Sequence, residues 1–194
     1  MNSSPLALTV LGMLTYEPSH PYGIQRRIKQ WGKDMVVNVG QRASLYRTID
    51  RLLGEGLIAV RETGRDQLYP ERTVYEITEA GRTIAREWLM EMLAVPKQEF
   101  PQFPAALSHV MLLAPEEAIG VLERREQAVS RELAELESGL AEVGDVPRIA
   151  MVESEYLRAV TRAEAEWLRA LIEDLRLGRL RWSREELEAA AGSG

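Results

Sequence analysis

The chain counts 194 residues, 45% hydrophobic and 28% charged, with a formal net charge of −6; this suits one large folded domain or two small ones and excludes wholesale disorder. It has no cysteine and only two histidines, His20 and His109, which removes disulfide scaffolds, thiolate zinc sites, iron–sulfur clusters, cysteine nucleophiles and multi-histidine metal centres. No stretch reaches the roughly 18 consecutive apolar residues of a membrane helix, and Leu6 to Leu14 has neither a basic leader nor a cleavage site, so a cytoplasmic protein with no membrane partner is expected.

Ser4-Pro5 opens a first helix, because serine caps and proline fits the first helical position. Leu6, Val10, Leu11 and Leu14 recur at helical spacing to about Tyr16, and Pro18 ends the run. His20-Pro21 opens a second helix, with His20 as its cap. Ile24, Ile28 and Trp31 share one face, Arg26, Arg27, Lys29 and Gln30 lie largely elsewhere, and Gly32 is the stop. A third helix is predicted from about Gln41 to Glu55, with Leu45, Ile49, Leu52 and Leu53 in one arc facing a core. Ala43, Ser44, Arg47, Asp50 and Arg51 occupy the opposite arc. Gly54 and Gly56 end it. Residues 57–63 and 72–78 are β-rich runs around a polar tip, Gly64 to Glu71, with Arg61, Arg65 and Arg72 on or beside it; they predict a hairpin. Thr78 then caps a helix bearing Ile84, Ala85, Trp88, Leu89, Met92 and Leu93 on one side.

Three helices, a two-stranded wing and a further helix describe a winged helix-turn-helix. Its third helix fits the major groove while the wing reaches the neighbouring backbone or minor groove. Winged helices also dock proteins, so the fold alone leaves both uses open. Charge is distributed unevenly: residues 1–95 hold 12 basic and 11 acidic side chains, residues 96–194 hold 12 and 19. Arg26, Arg27, Lys29, Lys33, Arg42, Arg47 and Arg51 crowd into residues 20–51 against Asp34 and Asp50. A basic block on an acidic chain is a footprint for DNA, with a plain solvated helix face as the competing reading.

Pro96, Pro101 and Pro104 mark a junction. Residues 104–113 are predicted as a short apolar helix holding His109, as a buried or interface residue rather than a ligand. Pro115 with Glu116 and Glu117 opens a long helix, along which Ile119, Leu122, Val129, Leu133, Leu136, Leu140 and Val143 form a heptad seam. Pro147 opens another, with the stripe Ile149, Val152, Tyr156, Val160, Ala163, Trp167, Leu171 and Leu175, and Gly178 stops it. Ser183 with Glu186 makes a capping box for a last short helix. Two helices of about 30 residues, roughly 45 Å each, exceed what a small domain needs to cover itself. A homodimer through Leu122, Val129, Leu133, Leu136, Leu140, Tyr156, Val160, Trp167 and Leu171 is therefore expected, with an intramolecular antiparallel hairpin as the alternative. The predicted fold is mainly α: a winged helix-turn-helix over residues 1–95, a helical dimerisation domain over 96–182, and a short helix and tail over 183–194.

Within residues 39–58, Leu45-Tyr46, Arg51-Leu52 and Gly56-Leu57-Ile58 resemble the recognition helix and wing entry of the PadR family of transcriptional regulators. His20-Pro21-Tyr22-Gly23 is similar to the family's opening of the second helix, and Arg72 to Gly81 to its second wing strand and following turn. Phe103 to Ser108 and the long helices are similar to the C-terminal domain of its larger members. The resemblance implies a homodimeric regulator of double-stranded DNA, usually a repressor, with dimerising C-terminal helices and often a small-molecule effector such as a phenolic acid or drug. Asp50 departs from simple phosphate attraction and suits acceptance from cytosine instead.

Arg47 and Arg51 lie four residues apart on the exposed arc, where arginine bonds guanine or phosphate. Arg42 and Ser44 sit near the helix N-terminus, whose amides attract phosphate; Ser44 also reads as a local cap. Tyr46 edges the apolar arc, so its ring packs or its hydroxyl reaches a phosphate. Arg65 and Arg72 are wing contacts or solvated charge. Trp88, Trp167 and Trp182 are candidates for an aromatic effector pocket, with core packing as the plainer reading. No phosphate-binding loop, dinucleotide fingerprint, nucleophile elbow or metalloprotease motif occurs, so neither an enzyme nor a cofactor is expected. A protein-docking winged helix and a ligand-sequestering helical protein are the alternative functions.

Overall fold

The computed structural model describes residues 3–64 and 72–183. The chain divides into two compact units, with the division after Gln98. In the first, the Ser4 hydroxyl accepts the Ala7 amide at 3.2 Å and starts α1 (Pro5–Tyr16). At α2 (Pro21–Gln30) the cap is an imidazole: His20 Nδ1 accepts the Gly23 amide at 2.8 Å. Gly32 follows with φ 66°, a left-handed turn that glycine adopts without steric cost. One turn of 3₁₀ helix (Lys33–Met35) then leads to α3 (Arg42–Gly54).

β1 (Ile58–Gly64) pairs antiparallel with β2 (Arg72–Ile77), from Ile58 opposite Ile77 to Gly64 opposite Arg72. The register slips between Val60 and Glu62, which leaves Arg61 as the extra residue of a β-bulge. Ser19 adds a bridge to Tyr75 through two backbone bonds of 2.9 and 3.0 Å, tying the start of α2 to the wing. The Thr78 hydroxyl accepts the Gly81 amide at 3.0 Å and so caps α4 (Glu79–Ala94). Val10, Leu11, Leu14, Ile24, Ile28, Leu45, Ile49, Leu52, Leu57, Ile58 and Trp88 fill one core. Each large apolar side chain buried there stabilises by about 1.5–3 kcal/mol. The α3 residues Leu45, Ile49 and Leu52 are therefore the anchor that fixes which arc of α3 faces outwards.

In the second unit, α5 covers Gln102–Leu107 and a 3₁₀ turn covers Val110–Leu112. The single helix predicted over residues 104–113 is thus two pieces, and His109 at the break is exposed rather than buried. α6 (Pro115–Glu142) and α7 (Val152–Arg176) form an antiparallel hairpin. Proline sits in the first turn of α6, and the Glu117 carboxylate accepts the Ala114 amide at 2.9 Å. Leu122, Val129 and Leu133 of the heptad seam are buried in this hairpin in one cluster with Ala165, Leu168, Ile172 and Leu175, and Leu136 of the seam is buried as well. Cross-helix ion pairs flank the seam: Arg162–Glu137 at 2.5 Å, Arg169–Glu126 at 2.8 Å and Arg176–Glu123 at 2.5 Å.

That burial revises the expected dimer face, because these seam residues already have a partner within the protomer. Leu140 is half-buried, and Leu171 packs partly against the hairpin core. Tyr156 (68% exposed), Val160 (48%) and Trp167 (47%) lie instead on a second, uncovered face of α7. Ile149 and Val152 extend the same exposed stripe. The stripe read from the sequence steps mostly by four residues, longer than the ~3.6-residue turn, so it winds from this outer face round to the α6 face at Leu175. One sequence pattern was two faces. The last helix predicted from Ser183 and Glu186 lies outside the described residues.

Candidate nucleic-acid interface

α3 presents Arg42, Ala43, Tyr46, Arg47 and Asp50 to solvent, opposite its buried arc. No side chain caps its N-terminus; the Ser44 amide donates to the Gln41 carbonyl at 3.0 Å, which leaves the Arg42 and Ala43 amides as the first-turn donors for an anion. Among the described residues the Arg47 guanidinium hydrogen-bonds within its own helix, Nε donating to the Ala43 carbonyl at 3.3 Å. Arg51 differs: it lies 3.5 Å from the Glu55 carboxylate one turn on and is largely covered. Ser44 is half-buried and does not cap; its carbonyl accepts the Thr48 hydroxyl at 2.9 Å. Tyr46 is 49% exposed, so its ring is an outward group rather than a core one.

The wing comes close to the middle of α3. Burial, then the charges of Asp50 and Tyr46, push the Tyr75 phenol of β2 above its ordinary value, so it remains a neutral donor. Arg61 is exposed on the bulge. The sequence places this arginine in the first β-rich run, on or beside the tip, and no sequence signal announces a bulge. Arg72 closes the described register opposite Gly64, and Arg65 lies outside the described residues.

One member of the basic block is engaged elsewhere. Arg27 forms an ion pair with Glu17, donates to the Met13 carbonyl at 3.3 Å and lies 5.8 Å from the Trp31 ring centre. It is a structural cation of the α1–α2 pair. Trp88, a candidate for an effector pocket, is likewise packed in the core and 5% exposed. Trp167 meets Phe103 edge-on at 6.2 Å, while Arg125 stacks 3.5 Å over that ring and pairs with Glu164. Trp182 donates through Nε1 to the Leu113 carbonyl at 3.0 Å and packs on the hairpin. Among the described residues no cluster of three metal-ligating side chains occurs, and no helix is long and apolar enough to cross a membrane.

Residues 10–87 match the model of the transcriptional regulator PadR-like family. No curated protein matches the chain in sequence. Among solved structures, Bacillus subtilis PadR in complex with operator DNA is similar with a TM-score of 0.72, at 17% identity over 89% of this chain and 99% of that one. PadR of the same organism in complex with p-coumaric acid gives 0.70, at 16% identity over 88% and 98%. The Vibrio cholerae virulence activator AphA gives 0.64, at 17% identity over 89% and 98%. At these identities the likeness is one of fold, and it covers the winged helix and the long helices together. The family match thus covers the winged helix, residues 10–87, where the chain is similar to the PadR-like family of transcriptional regulators, and the likeness of fold extends it over the long helices.

Proposed function

We propose that the chain binds a specific double-stranded DNA operator as a homodimer and represses transcription until a small aromatic or drug-like molecule releases it. The outward arc of α3 carries this reading: Arg42, Tyr46 and Arg47 are exposed at a helix start without a side-chain cap, on a helix anchored by a buried arc. An anchored helix with free donors is what base and phosphate contacts in a major groove require. Arg47 is the leading base contact, and Arg51 joins it only by releasing Glu55. Arg65, Arg72 and the bulge residue Arg61 are proposed for the backbone or minor groove beside it.

The dimer reading rests on α7. An exposed stripe containing Tyr156, Val160 and Trp167 is apolar surface that a second copy covers symmetrically. Two α3 helices then enter successive major grooves about 34 Å apart on a pseudo-palindrome. The operator-bound and p-coumarate-bound structures of similar fold support DNA and a small aromatic acid as the ligand classes. A titration of the full chain with operator fragments tests the reading: Arg47→Ala should weaken binding by about tenfold or more while sedimentation shows the dimer intact. Unchanged operator affinity in that variant would remove α3 from the interface.

A further inference from the structure

Asp50 is an unexpected residue on a face that must approach a polyanion. It is exposed in the middle of the outward arc of α3, one turn after Tyr46 and three residues after Arg47. Among the described residues no ion pair or hydrogen bond engages its carboxylate. Its neighbour Arg51 is balanced by Glu55 instead. Asp50 is also close enough to Tyr75 of the wing for its charge to be felt there, so it lies on the wing side of the outward arc. An unpaired carboxylate brought into a groove lined by phosphates loses hydration and gains repulsion. It stays there at equilibrium only if the groove supplies a donor. The base-edge donor that carboxylates take in the major groove is the cytosine 4-amino group.

We propose that Asp50 is a specificity-determining residue of α3, whose carboxylate accepts a hydrogen bond from the 4-amino group of one cytosine per half-site and disfavours DNA that lacks this donor. The inference rests on the DNA-reading function proposed above. It has two separable consequences. The correct site gains a base contact at one position, and all other DNA meets a negative charge at the centre of the reading helix.

Selection of duplexes from a random pool by the full-length wild type and by Asp50→Ala tests both. The wild type should enrich a site with a fixed cytosine in each half. Replacing that cytosine by 2-pyrimidinone, which lacks the 4-amino group, should weaken wild-type binding about tenfold or more. Asp50→Ala should be indifferent to the same replacement and lose the preference at that position alone. It should also bind a scrambled duplex more tightly than the wild type does. Asp50 is exposed, so the variant should keep the wild-type circular dichroism, and Asp50→Asn serves as a second, near-isosteric check. An unchanged cytosine preference in both variants, or a wild-type site without a fixed cytosine, overturns the proposal. A wild type that enriches no site would instead overturn the regulator reading on which it depends.

Discussion

Gly81 has an amide that donates to the Thr78 cap and no room for a side chain: a Cβ there would stand 2.0 Å from the Leu57 carbonyl oxygen. That oxygen is backbone and also accepts the Thr78 amide at 3.1 Å, so it has nowhere to go. Gly81→Ala should therefore destabilise by about 1–3 kcal/mol, as overpacking does, and a urea titration reads the shift. The arginines of α3 separate at this same scale. Arg47→Ala should weaken operator binding by about 1–3 kcal/mol. Arg51→Ala should cost less, because its guanidinium must first leave Glu55; equal losses would contradict the pairing. Glu55 four residues after Arg51 was a signal readable in the sequence, as an i,i+4 pair. The pair of Arg27 with Glu17 was not, since it depends on how α1 and α2 pack.

Among the elements, the helices of the first unit with a chemical start signal were legible to within a residue or two, whereas Pro147, expected to open the last long helix, precedes a 3₁₀ turn over Arg148–Ala150 and α7 begins only at Val152. Ser4, His20 and Thr78 each cap the helix they precede, and Gly32 turns the chain after α2. Caps act locally, so local sequence reveals them. The face of α7 was not legible, because choosing between two apolar stripes needs the position of α6. The polar flanks of this hairpin give an acid dependence. Hydrogen bonds from Ser130 and then Arg169 hold the Glu126 carboxyl below its ordinary value, and a bond from Arg148 does the same for Glu155. A value lower in the folded state stabilises above the unfolded carboxylate range, about pH 4.3, and is lost as pH falls through the folded value. Glu126→Gln should thus cost about 1 kcal/mol or less at pH 7. The difference from wild type should shrink as pH falls below the ordinary carboxylate range, as followed by denaturation monitored through helical circular dichroism.

For the whole molecule, the account needs one protomer to leave something for another. α6 supplies Leu122, Val129, Leu133 and Leu136 to its own chain, while α7 keeps Tyr156, Val160 and Trp167 outside. Tyr156→Glu combined with Val160→Glu should leave the hairpin folded and shift sedimentation from dimer to monomer. Operator affinity should fall with it, because a single α3 reads only half a site. A dimer carrying twice the −6 of one chain should hold random DNA weakly and release it as salt rises. The proline junction at Pro96, Pro101 and Pro104 is a local signal that the sequence carries, whereas the exposure of one α7 face depends on where α6 packs, which local sequence does not carry. The most direct measurement is fluorescence anisotropy of the full-length protein on DNA from upstream of its own gene, against a scrambled duplex, at two salt concentrations. A sequence-specific regulator should prefer the upstream duplex, and the preference should survive the higher salt. Equal affinity for both duplexes, lost together as salt rises, would contradict it.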